Sequence, residues 1–363
     1  MLRYRIALTL IPGVGDIIGK KLVSYCGGVE AVFKEKKTNL LKIPSVGEAV
    51  VNSIVNHDLF ERVDKEIAFI EKYNIKPMFY LDAAYPTRLK QCMDSPMMLY
   101  YMGNTDLNTT KVVSVVGTRS ITEYGKDSCK QLVKDLAAQE ILIVSGLAYG
   151  VDTCAHKTAI DNNLPTVGVL AHGLDRVYPL LNKPLAEKMI RNGGLLTEFM
   201  SDTNPDRENF PKRNRIIAGM ADAVIVVEAA KRGGALITAE IANSYNRDVF
   251  AVPGKLTDSF SEGCNHLIKT NKAALIQSAD DLLYIMGWEI NKKQKKTAQR
   301  QLFIELKPEE QIIYDLMSQK PSSSIDELCI NSKLNVSKIA EALLNLELEG
   351  IIKAMPGKVY KLV

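Results

Sequence analysis

Seven short, nearly continuous apolar runs between Val112 and Ser278 limit what this chain can fold into more than any other feature. They are Val112–Val116, Ile141–Val144, Thr166–Leu170, Leu195–Thr197, Val224–Val227, Val249–Val252 and Ala273–Ile276. A strand wetted on one face alternates apolar and polar residues. A run without alternation is covered on both faces, as in a parallel sheet. Helical segments such as Gly125–Ala138 and Ala235–Tyr245 separate the runs. The repetition predicts an α/β fold whose core is a doubly wound, Rossmann-like sheet over residues 112–288. Ligands on such sheets bind beyond the carboxyl ends of the strands.

The residues after each run are therefore the ones to weigh. Gly117-Thr118-Arg119-Ser120 follow the first, Ser145-Gly146-Leu147-Ala148-Tyr149-Gly150 the second, and Ala171-His172-Gly173 the third. Phe210-Pro211-Lys212-Arg213-Asn214-Arg215 lie beyond the fourth, and Glu228 with Lys231-Arg232-Gly233-Gly234-Ala235 beyond the fifth. Small residues let backbone N–H groups approach a ligand, and guanidinium groups match phosphate oxygens. Pro211 suits the first turn of a helix, so three cations stand at a helix start, where the dipole already favours an anion. The same motifs contain no nucleophile, base and acid that converge, so no catalytic residue is expected.

The flanks read differently. Residues 1–75 look helical and are interrupted by two similar loops, Ile11-Pro12-Gly13-Val14-Gly15 and Ile43-Pro44-Ser45-Val46-Gly47. This is the pattern of a tandem helix-hairpin-helix (SAM-like) domain, with Gly13, Gly15 and Gly47 as secondary phosphate-contacting positions. Gly15–Lys20 resembles a P-loop but is one residue short, and Lys21 replaces the magnesium-binding hydroxyl. Residues 76–111 carry Pro77, Pro86 and Pro96, which preclude a long helix and predict an extended connector. Residues 289–307 read as a basic linker. Residues 308–363 carry three helical patterns and a hairpin, a winged helix whose recognition helix would be Ser337–Leu348.

Composition narrows the class. The chain is 46% apolar, 24% charged and formally +4, which is compatible with a polyanion partner. Its six cysteines form no CxxC pair, and its first apolar segment is too short for a signal or a span. A cytoplasmic protein with reduced thiols and no membrane insertion is expected. Two C-x-H pairs, Cys154/His156 and Cys264/His266, are poor metal chelators on a helix, because residues two apart point in different directions. No metal is expected.

Taken together the motifs resemble the DNA-processing protein A (DprA/Smf) family. The likeness rests on Val-Val-Gly-Thr-Arg, Ser-Gly-Leu-Ala-Tyr-Gly-Val-Asp-Thr-Cys-Ala-His, Phe-Pro-Lys-Arg-Asn-Arg-Ile-Ile-Ala-Gly, Gly-Gly-Ala-Leu-Ile-Thr-Ala-Glu, Val-Phe-Ala-Val-Pro-Gly and Ser-Glu-Gly-Cys-Asn-His-Leu-Ile, in order over residues 112–270. Thr118 stands where the family usually has Ser, and Arg232-Gly233-Gly234 where it has Ser-Gly-Ser. The resemblance implies a single-stranded DNA-binding protein of DNA uptake and natural transformation. It would protect incoming strands, load the RecA recombinase, form homodimers through the Rossmann-like domain, and use no cofactor. It places the DNA pocket at Gly117, Thr118 and Arg119, at Ser145 and Gly146, and at Lys212, Arg213, Asn214 and Arg215. Gly233, Gly234 and Thr238 join them, and Phe210 could stack a base.

Two enzyme readings compete. A nicotinamide enzyme needs GxGxxG after the first strand and an acid after the second, and both are missing here. A nucleotide-processing hydrolase related to the lysine-decarboxylase-like phosphoribohydrolases is the better rival. Gly233-Gly234-Ala-Leu-Ile-Thr238-Ala-Glu240 vaguely resembles their phosphate loop, with Glu240 as the carboxylate.

Overall fold

The computed structural model describes residues 1–288, 306–318, 320, 323–332, 334–355 and 359–362. Met1–Asn291 and Lys292–Val363 form two compact units. The larger unit is built on a nine-stranded sheet. Its strands in chain order are β1 (Lys76–Phe79), β2 (Met98–Gly103), β3 (Val112–Val116), β4 (Leu142–Ser145), β5 (Thr166–Val169), β6 (Gly193–Thr197), β7 (Ala223–Val226), β8 (Asp248–Ala251) and β9 (Ala274–Leu275). Their order in space is β1-β2-β6-β5-β4-β3-β7-β8-β9. The seven strands β3–β9 pair in parallel, and each lies within a residue or two of the apolar run that predicts it. Both faces are covered. Ile216, Ile217 and Ala239 pack on one, and Cys129, Leu132 and Ala155 on the other. That double cover is why the runs carry no polar alternation.

The stretch 76–111 departs from the expected connector. It adds β1 and β2, with β2 antiparallel to β6 and β1 antiparallel to β2. Pro77 is tolerated because β1 is an edge strand, where one side of the backbone needs no ladder partner. Arg88 fastens this addition to the core. It pairs with Asp222 at 2.6 Å, and the other Asp222 oxygen accepts from the N–H of Val112 at 2.9 Å.

Residues 1–72 form six helices around their own apolar cluster, which continues onto Phe79, Met98 and Tyr100 of the sheet. The two hairpin loops match in backbone geometry. Gly13 and Ser45 both take left-handed conformations, with φ of 81° and 69°. Gly15 and Gly47 each cap the helix that follows, both with φ of −85°. Ser45 therefore does the conformational work of its glycine counterpart.

In the smaller unit, the helices Pro308–Ser318, Ile325–Ser332 and Val336–Leu348 pack around Ile313, Leu328, Ile339 and Leu343. Beside them Ser323–Ser324, Ile352–Met355 and Val359–Leu362 pair as a three-stranded sheet. This is a winged helix. Lys338, the cation expected on its recognition helix, is held by Glu309 at 2.8 Å. Of the expected linker, residues 289–305 lie outside the described residues.

Candidate nucleic-acid interface

Strand β3 sits between β4 and β7, so the chain's crossovers leave it in opposite directions. A crevice must open at the carboxyl end of such a strand. A cleft of about 250 Å³ lies there, walled by the loops after β3, β4 and β7 and by the first turns of the helices Asn209–Met220 and Gly234–Ser244. Of the residues expected in the DNA pocket, Gly117, Thr118, Arg119, Phe210, Arg213, Asn214, Gly233, Gly234 and Thr238 line it. Gly233 and Gly234 are exposed at a helix amino end, where first-turn N–H groups lack helical partners.

Arg119 is exposed at the rim, and its guanidinium carbon lies 5.3 Å from the centre of the Phe210 ring. Arg213 approaches the same ring at 5.9 Å but is buried, at 6% exposure. Its position follows from helical phase. Arg213, Ile216, Ile217 and Met220 share the inward stripe of the helix. Arg213 donates to the carbonyl of Val169 and, at 3.2 Å, to Asn214 Oδ1. Burial lowers its pKa to about 10, against the raising influence of Asp152, so it remains a cation at neutral pH. Asp152 is itself buried on the cleft wall, with its pKa raised by burial, and it accepts from the N–H of Ala148 at 3.2 Å. Arg213 is thus the charged floor of the cleft, and Arg119 its exposed edge.

Two expected residues serve beneath the floor. The hydroxyl of Ser145 donates to the carbonyl of Val115 at 2.5 Å and is fully buried. Gly146 leaves space for its neighbours, since a Cβ there would stand 2.3 Å from Asp152 Oδ2 and 2.6 Å from Arg213 Nη1. Gly150 matters for its backbone. Its φ is 78°, and a Cβ would meet the carbonyl of Thr118 at 2.1 Å. Through it the β4 loop closes on the β3 loop, where Val151 N–H donates to Thr118 O at 3.1 Å. Thr238 is also buried and donates to Gly234 O at 3.0 Å, which braces the glycine turn.

Arg215 and Lys212 are not in the cleft. They line a separate groove beside the first hairpin, together with Gly15 and Asp16. Arg215 pairs with Glu198 at 2.5 Å and Asp16 at 3.1 Å, and also donates to the carbonyl of Asp94. It ties the hairpin helix to the sheet. The KRNR run therefore divides, because successive helical positions are about 100° apart. The first hairpin also carries an acid in the opening turn of its helix, and Asp16 accepts from the N–H of Met97 at 2.8 Å.

Arg232 is a lining residue outside the expected set. Its signal was its place in the Lys231-Arg232 pair directly before the Gly-Gly turn. Glu240, the carboxylate required by the hydrolase reading, is not on the cleft wall and pairs with Lys272 at 3.3 Å. Both nearby histidines are buried and neutral. Burial lowers the pKa of His156 to about 4, and its Nε2–H donates to Gly146 O at 2.5 Å while Thr166 contacts Nδ1 at 2.7 Å. Among the described residues, no three His, Cys, Asp or Glu side chains gather as a metal site.

Comparison with known proteins agrees with this architecture. Residues 76–287 match the family described as DNA recombination-mediator protein A, and residues 297–358 match the DprA winged helix domain. Protein Smf of Synechocystis is 30% identical over 99% of this chain and 98% of its own length. DNA processing protein DprA of Streptococcus pneumoniae is 37% identical over 69% of this chain and 96% of its own length. The X-ray structure of the S. pneumoniae protein superposes with a TM-score of 0.69 at 35% identity, covering 78% of this chain and 98% of that one. DNA processing protein A of Helicobacter pylori, solved in work on its single-stranded DNA binding mode, gives 0.54 at 29% identity, covering 59% and 96%. With the Rossmann-like sheet, the winged helix and near full-length coverage all in agreement, the chain belongs to the DNA recombination-mediator protein A (DprA/Smf) family.

Proposed function

We propose that this protein binds single-stranded DNA in the cleft above β3 and acts as a recombination mediator, holding the strand by its phosphates without turning it over. The observation that carries the reading is the convergence of Arg119, Arg213, Arg232 and a helix amino end on one cleft at the sheet's switch point. A polyanion meets there a cationic surface with an aromatic ring in its wall, the combination that suits a flexible strand. The H. pylori relative, whose structure concerns single-stranded DNA binding, supports the choice of ligand. Membership of the family supports the finer reading: protection of incoming strands, loading of the RecA recombinase, homodimer formation, and a place in DNA uptake and natural transformation. No helix among the described residues is long and apolar enough to cross a membrane.

The test is fluorescence anisotropy of the full chain with labelled single strand, duplex and tailed duplex, followed by addition of the recombinase. Single strand and tailed duplex are expected to bind more tightly than blunt duplex, and the bound strand to accept recombinase faster than free DNA coated with a competitor protein. Equal or tighter binding of blunt duplex would overturn the choice of ligand. Release of nucleoside or base from the strand would overturn the claim that there is no turnover.

A further inference from the structure

Two of the six free cysteines meet one another behind the cleft. Cys129 lies in the second turn of the helix Glu123–Leu136, and Cys154 closes the first turn of the helix Val151–Asp161. The two helices pack against each other on one face of the sheet, and both sulfurs sit in that packing. Cys129 is fully buried, whereas Cys154 is half-buried. As a thiol, Cys154 donates to the carbonyl of Lys126 at 3.7 Å, which sets its sulfur against the neighbouring helix one turn from Cys129. As a thiolate, it accepts from the Cys129 S–H, which lies within hydrogen-bonding reach. Neither sulfur lines the cleft.

We infer that Cys129 and Cys154 form a site of reversible oxidation by a hydroperoxide, with Cys154 as the attacking sulfur and Cys129 as the resolving one. Such a site needs a thiolate, partial exposure, nearby cations and a second thiol at hand. The hydrogen bond from Cys129 lowers the Cys154 pKa against the opposing effect of burial, with further help from Thr158, Lys130 and Lys126. The same contact, together with burial, raises that of Cys129, so the shared proton stays on Cys129. Burial pushes the thiols of Cys26, Cys92 and Cys264 up, which leaves them poor nucleophiles. In the first step the Cys154 thiolate attacks the peroxide. An S–O bond forms, the O–O bond breaks, the sulfur loses two electrons, and the departing oxygen takes up the proton that Cys154 released. In the second step the Cys129 sulfur attacks the sulfenic sulfur. An S–S bond forms, the S–O bond breaks, and the departing hydroxide leaves with the Cys129 proton as water. The disulfide is neutral. A sulfinic or sulfonic acid on Cys154 would instead fix a negative charge on the helix that carries Asp152, a residue of the cleft wall. Cys129 thus halts the oxidation at its reversible stage.

The experiment treats the full, reduced chain with a small excess of hydrogen peroxide under native conditions. The remaining thiols are then alkylated in denaturant, and the products are read by intact mass and a tryptic map. Asp127–Lys130 and Asp135–Lys157 each contain one cysteine of the pair, so a cross-link between them is unambiguous. Wild type should lose two hydrogens, show these two peptides joined, and return to the starting mass with dithiothreitol. Cys129→Ala should gain oxygen on Cys154 in place of the cross-link, with a fraction that dithiothreitol does not reverse. Cys154→Ser should leave Cys129 reduced at the same peroxide dose. Alkylation of both Cys129 and Cys154 in treated wild type would overturn the proposal, and so would a cross-link that joins other cysteines. Oxidation of Cys129 in Cys154→Ser as fast as in wild type would overturn the assignment of Cys154 as the attacking sulfur. The wild-type map decides the existence of the site by itself, whether or not the Cys129→Ala variant folds.

Discussion

At the residue scale, neighbouring cations of one motif do different jobs. Arg213 and Arg215 are two positions apart, yet one forms the floor of the cleft and the other ties the hairpin domain to the sheet. The run of charge in the sequence invited a single role for all of them. The division was readable only from helical phase, with Arg213 in register with Ile216, Ile217 and Met220. Arg215→Ala should therefore leave the salt dependence of DNA binding unchanged while destabilising the fold. Removing this largely buried cation leaves the Asp16 carboxylate uncompensated and the Glu198 carboxyl and the Asp94 carbonyl without their donor, a loss of about 3 kcal/mol. Urea denaturation and salt titration measure the two effects separately. A flattened salt slope with unchanged stability would show that Arg215 faces the strand.

At the element scale, β3–β9 were legible because strands covered on both faces leave continuous apolar runs. β1 and β2 were not, because three prolines in 76–111 broke every periodic pattern, and only the edge position of β1 makes Pro77 acceptable. The contact between the hairpin helices and the sheet was also illegible, since it joins Asp16, Glu198 and Arg215 across the whole chain. It has a pH signature. Burial raises the Glu198 pKa from 4.5 to about 7, outweighing the pull of Arg215. A carboxyl more readily protonated when folded contributes most stability below pH 4.5, and that contribution is lost as pH rises towards 7. His156 has the opposite sign. Its pKa falls from 6.5 to about 4, so its contribution is present above 6.5 and lost on acidification. The two slopes oppose each other in wild type. Glu198→Gln removes one, so relative to wild type its stability should rise by about 3 kcal/mol as pH goes from 4.5 to 7. Parallel stability–pH curves for the two proteins would contradict this assignment.

At the scale of the whole molecule, the order of the strands places the site. β3 enters the middle of the sheet, and the loops on either side of its carboxyl end supply charge, glycine and an aromatic ring from segments more than a hundred residues apart. The sequence showed which loops would meet. It did not show that Ser145 and Thr238 would lie beneath the surface as braces, because burial of a small hydroxyl leaves no trace in a pattern of polarity. The exposed cations that line the cleft are Arg119 at one edge and Arg232 at another, and the account stands on these two meeting phosphate. The most direct test is the slope of log K against log salt for single-stranded DNA, measured for the full-length wild type, Arg119→Ala and Arg232→Ala. Each variant should bind all sequences more weakly and lose about 0.7 from the slope, the contribution of one phosphate contact on a single strand. Slopes identical to wild type in both variants would contradict the account.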